Sequence, residues 1–265
     1  MKRMVLLFAA LVLLVQFVAA EDWNKTFNLT GKPDLRVETS DAKLTVDTWD
    51  QNKIEAHVVT RGYKIGPGGL DIYDHQTGDS VVLEVRYPHH DIHFVWDGPR
   101  NRVEIEIHMP REGRVDLKTG DGSIRLAGLK GDMTVTSGDG SQDIDGVDGI
   151  LRARAGDGHI RVNGRFDGLS LHTGDGKIEA TARPESSMKQ EWELRAGDGS
   201  VTLRVPDKFA ANVDFQTHDG HLDVDMPVTV EGGRIKEHII RGTMNGGGNL
   251  LTIHTGDGSI RVERS

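Results

Sequence analysis

The chain has 265 residues, enough for one large domain or two small ones, and its 33 glycines follow no Gly-X-Y period, which excludes collagen. Acidic residues outnumber basic ones by 41 to 32, and the resulting net charge of −9 argues against a general affinity for nucleic acid or anionic membranes. Cysteine is absent, so disulfides, thiol nucleophiles and cysteine-ligated zinc are excluded.

Residues 1–20 are typical of a secretory signal peptide. Lys2 and Arg3 give a positive start, residues 4–14 form a continuous apolar run, and small residues lead up to Ala20. The alternative is an uncleaved anchor, which is disfavoured because the run is short for a bilayer span of about 20 residues. We expect cleavage after Ala20, which leaves an exported protein with no membrane span, either periplasmic, on the cell surface or secreted.

Residues 21–110 contain irregular strand-like segments in which apolar and polar residues alternate. Residues 35–39 and 44–46 flank Ser40-Asp41-Ala42, which resembles a degenerate copy of the repeat described below. A repetitive β-structure needs its open ends covered, because an end exposes unpaired strand edges. We interpret residues 21–110 as an N-terminal β region that acts as a cap.

A histidine cluster lies within this region. His89, His90 and His93 fall in a stretch bounded by Pro88 and Pro99. A zinc site needs three or four converging ligands, and the sequence offers no identifiable fourth ligand for these three histidines. An exposed histidine-rich loop is therefore favoured, and the three histidines remain the zinc candidates.

Residues 111–265 are built on a repeated Gly-Asp-Gly motif. The first four aspartates are separated by 18 residues each, and the later intervals are 23, 21 and 38. One copy has histidine in place of its first glycine. The aspartates are Asp121, Asp139, Asp157, Asp175, Asp198, Asp219 and Asp257.

Alignment on the aspartate places apolar residues in four columns, six and four positions before it and three and five positions after it. Gln142 is the one polar member of these columns. Two apolar positions separated by one polar residue have the period of a half-buried strand, whereas a helix needs spacings of three and four. The repeat therefore predicts an all-β fold with inward columns from about residue 115 to residue 262.

Two architectures fit this pattern. Asp-Gly is a preferred pair for a two-residue hairpin turn because both residues tolerate positive φ, which would give an antiparallel meander. Alternatively, each 18-residue unit is one coil of a single-stranded β-solenoid in which equivalent positions stack. The constant interval favours the solenoid, since a meander has no need to preserve coil length.

The aspartate column is the most prominent candidate site. In a solenoid, Asp121, Asp139, Asp157 and Asp175 stack at strand spacing, and calcium bridging would relieve their repulsion. The structural alternative is that each aspartate accepts backbone N–H hydrogen bonds in its own turn while nearby cations offset the charge. The structural alternative is favoured because the spacing of the aspartates does not match that of calcium-binding nonapeptide repeats. Calcium stays a possible cofactor.

Three segments together resemble the bacterial DUF4097 family of adhesin-like proteins. They are LRVET at 35–39, VEIEIHMP at 103–110 and GGGNLLTIHTGDGSI at 246–260. The resemblance implies a β-solenoid-like fold and an extracytoplasmic location. It supplies no catalytic residues.

Three functions are open at this point. The leading hypothesis is a non-enzymatic structural and binding protein of the cell envelope whose partner is a surface protein or a glycan. A calcium-dependent binding module that uses the aspartates is the second, and a polysaccharide-acting β-helix enzyme is the third. No Ser-His-Asp order, nucleophile elbow, Walker loop or His-Glu-x-x-His motif occurs, so we assign no catalytic residue.

Overall fold

The computed structural model describes residues 20–88, 102–230 and 237–265. Over these ranges the secondary structure consists of strands without a helix, which confirms the all-β prediction, and no helix there could cross a membrane. The strands are β1 (Ala20–Asn28), β2 (Asp34–Thr39), β3 (Lys43–Trp49), β4 (Lys53–Arg61), β5 (Asp71–Thr77), β6 (Ser80–Arg86), β7 (Arg102–Pro110), β8 (Glu112–Lys118), β9 (Ile124–Ala127), β10 (Lys130–Thr136), β11 (Gln142–Arg154), β12 (Ile160–Thr173), β13 (Ile178–Ala182), β14 (Trp192–Ala196), β15 (Val201–Val205), β16 (Ala211–Thr217), β17 (Leu222–Val224), β18 (Val228–Val230), β19 (Ile239–Met244), β20 (Leu250–Thr255) and β21 (Ile260–Arg264).

Successive copies of the repeat lie side by side as parallel strands. Before the turn, Met133 in β10 lies opposite Val115 in β8 and Leu151 in β11. After the turn, Ile160 in β12 lies opposite Ile178 in β13. Each partner is 18 residues away in the sequence. The antiparallel meander is therefore wrong for these strands.

Each copy forms one coil with two faces. The strand before the turn belongs to what we call the first face, and the strand after it belongs to the second face. Strands β11 and β12 run continuously from the second face of one coil to the first face of the next. Gly146 and Gly149 have φ of 66° and 132° at this corner, a backbone conformation that favours glycine. A single long strand therefore makes the far corner of the coil.

The predicted inward columns form the core between the two faces. Their members are buried in every coil except the one at residues 211–224, where Leu222 and Val224 are half-buried. Gln142 is also buried, and its Nε2 donates hydrogen bonds to Ser137 Oγ at 2.9 Å and to the Arg154 carbonyl at 2.6 Å. These bonds satisfy both N–H donors of the amide, whereas the buried Oε1 of Gln142 has no hydrogen-bond partner within the described residues.

The order of coils in the stack differs from their order in the sequence. Near the N-terminus, β2 lies between β6 and β8, while β3 lies between β7 and β9. The coil that contains Ser40-Asp41-Ala42 thus sits between strands β6 and β7 on one side and the coil at residues 112–127 on the other. Strands of the N-terminal region, residues 21–110, therefore pair in parallel with strands of the repeat region that follows it.

The same exchange occurs near the C-terminus. Strand β20 lies between β14 and β16, and β21 lies between β15 and β17. The last coil in the sequence, residues 250–264, is therefore inserted before the coil at residues 211–224.

Antiparallel strands extend the sheet at both ends of the stack. At the N-terminal end, β5 pairs with β6 on the first face, and β4 and β1 follow β7 on the second face. There the Gln76 side chain donates a hydrogen bond to the Asn28 carbonyl, so β5 and β1 are joined across the end of the core. At the other end, β19 and β18 continue the first face beyond β16.

Candidate functional site

The Gly-Asp-Gly turns lie one above another along one edge of the stack. We call this edge the turn ridge, and it consists of the seven Gly-Asp-Gly or His-Asp-Gly triplets. The amide of Gly138 donates to the Gly120 carbonyl, and the amide of Gly156 donates to the Gly138 carbonyl, both at 2.6 Å. The ridge is therefore joined from coil to coil by backbone hydrogen bonds.

Glycine is required in the ridge because the backbones of neighbouring turns approach each other closely, and not because of its φ angle. A Cβ on Gly140 would lie 1.8 Å from the Gly122 carbonyl oxygen, and a Cβ on Gly158 would lie 2.2 Å from that of Gly140. None of the ridge glycines has positive φ. The sequence-based explanation, that Asp-Gly tolerates positive φ, is therefore wrong for these turns.

A column of buried hydroxyl groups also joins neighbouring turns. The single hydroxyl proton of Thr173 is shared between the carbonyls of Gly156 and Gly158, whose oxygens lie 3.2 and 2.8 Å from Oγ1. Thr217 and Thr255 each bridge two ridge carbonyls in the same way. The sequence carried this signal, since threonine or serine stands two residues before the aspartate in most copies, but our sequence analysis missed it.

The structure places the calcium candidates Asp121, Asp139, Asp157 and Asp175 in adjacent coils of the ridge. Their side chains are exposed, and within the described ranges no group donates a hydrogen bond to these carboxylates. The expectation that each aspartate accepts N–H bonds in its own turn is therefore wrong. Nor do any three acidic or histidine side chains of the described chain form a metal-binding group. Calcium binding stays a prediction.

The zinc candidates His89, His90 and His93 lie outside the described residues. Two other histidines lie on the first face. His172 Nε2 is 3.1 Å from Glu193 Oε2, and Arg195 also hydrogen-bonds Glu193. Burial raises the pKa of Glu193, but the hydrogen bonds from Arg195 and His172 outweigh it and hold that pKa below its usual value. Burial lowers the pKa of His254.

The second face carries a ladder of opposite charges. Arg125 contacts Asp143 at 2.9 Å, and Arg161 contacts Glu179 at 3.0 Å, in each case across two adjacent coils. These four residues line one shallow groove. Each pair joins residues 18 apart, so the ladder favours the observed register over a slipped one.

Several solved structures are similar to this chain over most of its length. A candidate cell adhesion protein from Clostridium sporogenes is 14% identical, with a TM-score of 0.41, and the match covers 93% of this chain and 100% of that one. A candidate lipid binding protein from Parabacteroides distasonis is 15% identical, with a TM-score of 0.41, over 91% of this chain and 96% of that one. A candidate adhesin from Bacteroides fragilis is 10% identical, with a TM-score of 0.35, over 91% and 97%. At these levels the likenesses assign no function.

No curated protein matches the chain. A family model does, over residues 104–198 and again over residues 167–263, and it is the model of the Toastrack DUF4097 domain. The two matches together span more than half of the 265 residues. They cover the parallel coils and the turn ridge from β7 to β21. This protein therefore belongs to the Toastrack DUF4097 family.

Proposed function

We propose that this protein is an exported, non-enzymatic structural and binding protein of the cell envelope, built as a rigid β-solenoid of Gly-Asp-Gly coils. The observation that carries the proposal is the continuity of the stack. Backbone hydrogen bonds join neighbouring coils on both faces and along the turn ridge. A solenoid of this kind is a stiff body with long exposed faces, which suits display and binding.

The arrangement of charged side chains supports a role other than catalysis. Glycoside hydrolysis needs two carboxylates that flank the scissile bond inside a cleft. Here the ridge carboxylates are exposed along an edge, and the acidic groups of the second-face groove are ion-paired with arginine. No observation favours a polysaccharide-cleaving activity.

The packing of β1 is compatible with cleavage after Ala20. Within the described residues, the first buried side chain of β1 is Phe27. Removal of residues 1–20 would therefore leave β1 and its pairing with β4 almost complete. The mature chain would retain every buried apolar residue of the described ranges.

The proposal is tested by expressing the complete chain with its own leader in a bacterial host. We expect the exported protein to begin at Glu21 on N-terminal sequencing and to release no reducing ends from a panel of neutral and acidic polysaccharides. Ala20→Arg is the matched control, because it removes the small residue at the expected cleavage position. Exported wild-type protein that begins at Met1, or measurable polysaccharide cleavage, would contradict the proposal.

A further inference from the structure

Two arginines stand side by side on the first face in the middle of the stack. Arg152 and Arg154 belong to β11, and both are exposed because the alternate residues Leu151 and Ala153 point into the core. Residues two apart on a strand are roughly 6.6 Å apart. The two guanidinium groups therefore project from neighbouring positions of one flat surface.

Only hydroxyl and imidazole groups stand directly beside these arginines. Thr134 and Ser170 lie opposite Arg152 on the two adjacent strands, and Thr136 lies opposite Arg154. His172 completes the second row. We call these six residues the donor patch: Thr134, Thr136, Arg152, Arg154, Ser170 and His172.

The donor patch differs from the rest of its face in the pairing of its cations. In the described part of the chain, neither of its arginines makes an ion pair or a side-chain hydrogen bond, and the three hydroxyls donate none. The other basic residues of the first-face strands are ion-paired. Examples are Arg36 with Glu38, Lys118 with Glu38, Arg114 with Asp132, Arg195 with Glu193, and Arg241 with Asp214.

Carboxylates border the patch, both on the outer strands and at Asp132 of β10, which lines one groove with Arg152. Asp116 lies beside Thr134, and Glu193 lies beside Ser170. A nucleic-acid duplex is wider than three adjacent strands and would place phosphates against these carboxylates. A single saccharide chain is narrower, so its acidic groups can stay over the two arginines while its hydroxyls meet those of the patch. The border therefore disfavours a ligand whose charges extend beyond the patch.

We propose that the donor patch binds an acidic polysaccharide. Arg152 and Arg154 each present a planar fork of N–H donors that matches a carboxylate or a sulfate group in a bidentate geometry. Thr134, Thr136 and Ser170 supply hydrogen-bonding partners for sugar hydroxyls. The inference deepens the proposed function, on which it rests for placing the patch outside the cell.

The experiment measures binding of the exported chain, residues 21–265, to three hexasaccharides by isothermal titration calorimetry. A galacturonate hexamer carries carboxylates, a heparin-derived hexamer carries mainly sulfates, and maltohexaose is neutral. The test variant is Arg152→Gln with Arg154→Gln. The matched control is Arg125→Gln with Arg161→Gln, which removes the same charge from ion-paired positions of the second face.

We expect one or both acidic hexamers to bind, maltohexaose not to bind, and the test variant to lose at least tenfold in affinity while the control stays within about threefold. Which acidic hexamer binds identifies the charged group. Equal losses in both variants would show non-specific electrostatics and overturn the inference. If a folded, correctly exported wild type binds neither acidic hexamer, the inference is overturned and the proposed function stays intact. If the patch binds an acidic hexamer but the chain is not exported, only the proposed function is refuted.

Discussion

The glycine that follows the aspartate in each turn makes some of the closest backbone contacts in the described chain. We expect Gly158→Ala to destabilise the protein by roughly 1–3 kcal/mol, because its Cβ would lie 2.2 Å from the Gly140 carbonyl oxygen and a backbone atom cannot move aside without disturbing the ladder. Urea unfolding followed by circular dichroism measures the loss.

Gly168→Ala is the control for this substitution. A Cβ there would meet the Gln190 side-chain oxygen at 3.2 Å, and a flexible side chain can move away at little cost. We expect its free energy of unfolding to stay near that of the wild type. Equal losses for the two variants would show that close approach is not the reason for glycine in the ridge.

Residues of the core and of the turn ridge differ in how much each contributes to the stability of the protein. Ile160 is 1% exposed, so Ile160→Asp removes roughly 1.5–3 kcal/mol of apolar burial and also desolvates a carboxylate. Asp157 is exposed and its carboxylate accepts no hydrogen bond within the described ranges, so we expect Asp157→Asn to be close to neutral. Thermal melts of both variants compare the two effects.

The same melts, repeated with calcium and with a chelator, test the calcium hypothesis. If calcium bridges the ridge, the wild type melts higher with calcium, and Asp157→Asn loses that increase. If the aspartates are only turn residues, neither protein responds to calcium. A stability loss for Asp157→Asn that appears only with calcium present would contradict the structural interpretation.

One ion cluster joins the corner of β12 to the insertion at residues 183–191, which lies between β13 and β14. Arg165 Nη1 and Nη2 donate to Asp167 Oδ1 and Oδ2 at 2.6 and 3.0 Å, and Arg165 Nε donates to Asp148 at 2.7 Å. Lys189, from the insertion, also contacts Asp167 at 3.0 Å. Hydrogen bonding to Arg165 lowers the pKa of Asp167 to about 2.

This pKa predicts how stability depends on pH. Because the folded-state pKa of Asp167 lies below its ordinary value of 3.8, the cluster stabilises the protein above about pH 4, and the contribution is lost as the pH falls towards 2. We expect Asp167→Asn to lose about 2 kcal/mol at pH 7 and to show a flatter stability profile between pH 4 and pH 2.

Asp143→Asn serves as the comparison for Asp167→Asn. Asp143 pairs with Arg125 on the surface with 45% of its side chain exposed, so we expect a loss below about 1 kcal/mol. Urea titrations at several pH values measure both variants. A pH profile for Asp167→Asn that is parallel to that of the wild type would contradict the assignment.

In the molecule as a whole, the exchanged coil order protects the C-terminal segment. In a stack that followed the sequence, residues 250–264 would form the outermost coil and would fray first. Here β20 is hydrogen-bonded on both sides, to β14 and β16, whereas β17 pairs with β21 alone within the described ranges. Opening of β20 therefore requires the separation of two strand pairs.

Hydrogen exchange measures this difference directly. We expect amides of residues 250–255 to exchange as slowly as those of residues 192–196, and amides of residues 222–224 to exchange faster than both. The comparison is internal to one protein, so no variant is needed. Fastest exchange in the C-terminal peptide would show that the coils follow the order of the sequence.

The candidate sites were only partly predictable. Spacing alone located the ridge aspartates, and the structure brings them together in neighbouring coils. The donor patch was not predicted, because Arg152 and Arg154 resemble any other exposed arginines until the pairing of every neighbouring cation is known. Whether an arginine is ion-paired depends on the side chains of adjacent coils, and an alignment of the repeat columns does not show which ion pairs form.

The sequence by itself determined the strands, the turns and the inward columns, because strand periodicity and the Gly-Asp-Gly spacing are local properties of each copy. Only the tertiary structure decided the order of the coils. Each copy presents similar apolar columns and similar strand edges, so the residues 34–49 and 250–264 fit between several neighbours equally well by pattern. Their insertion is selected by long-range contacts between coils, which no local pattern encodes.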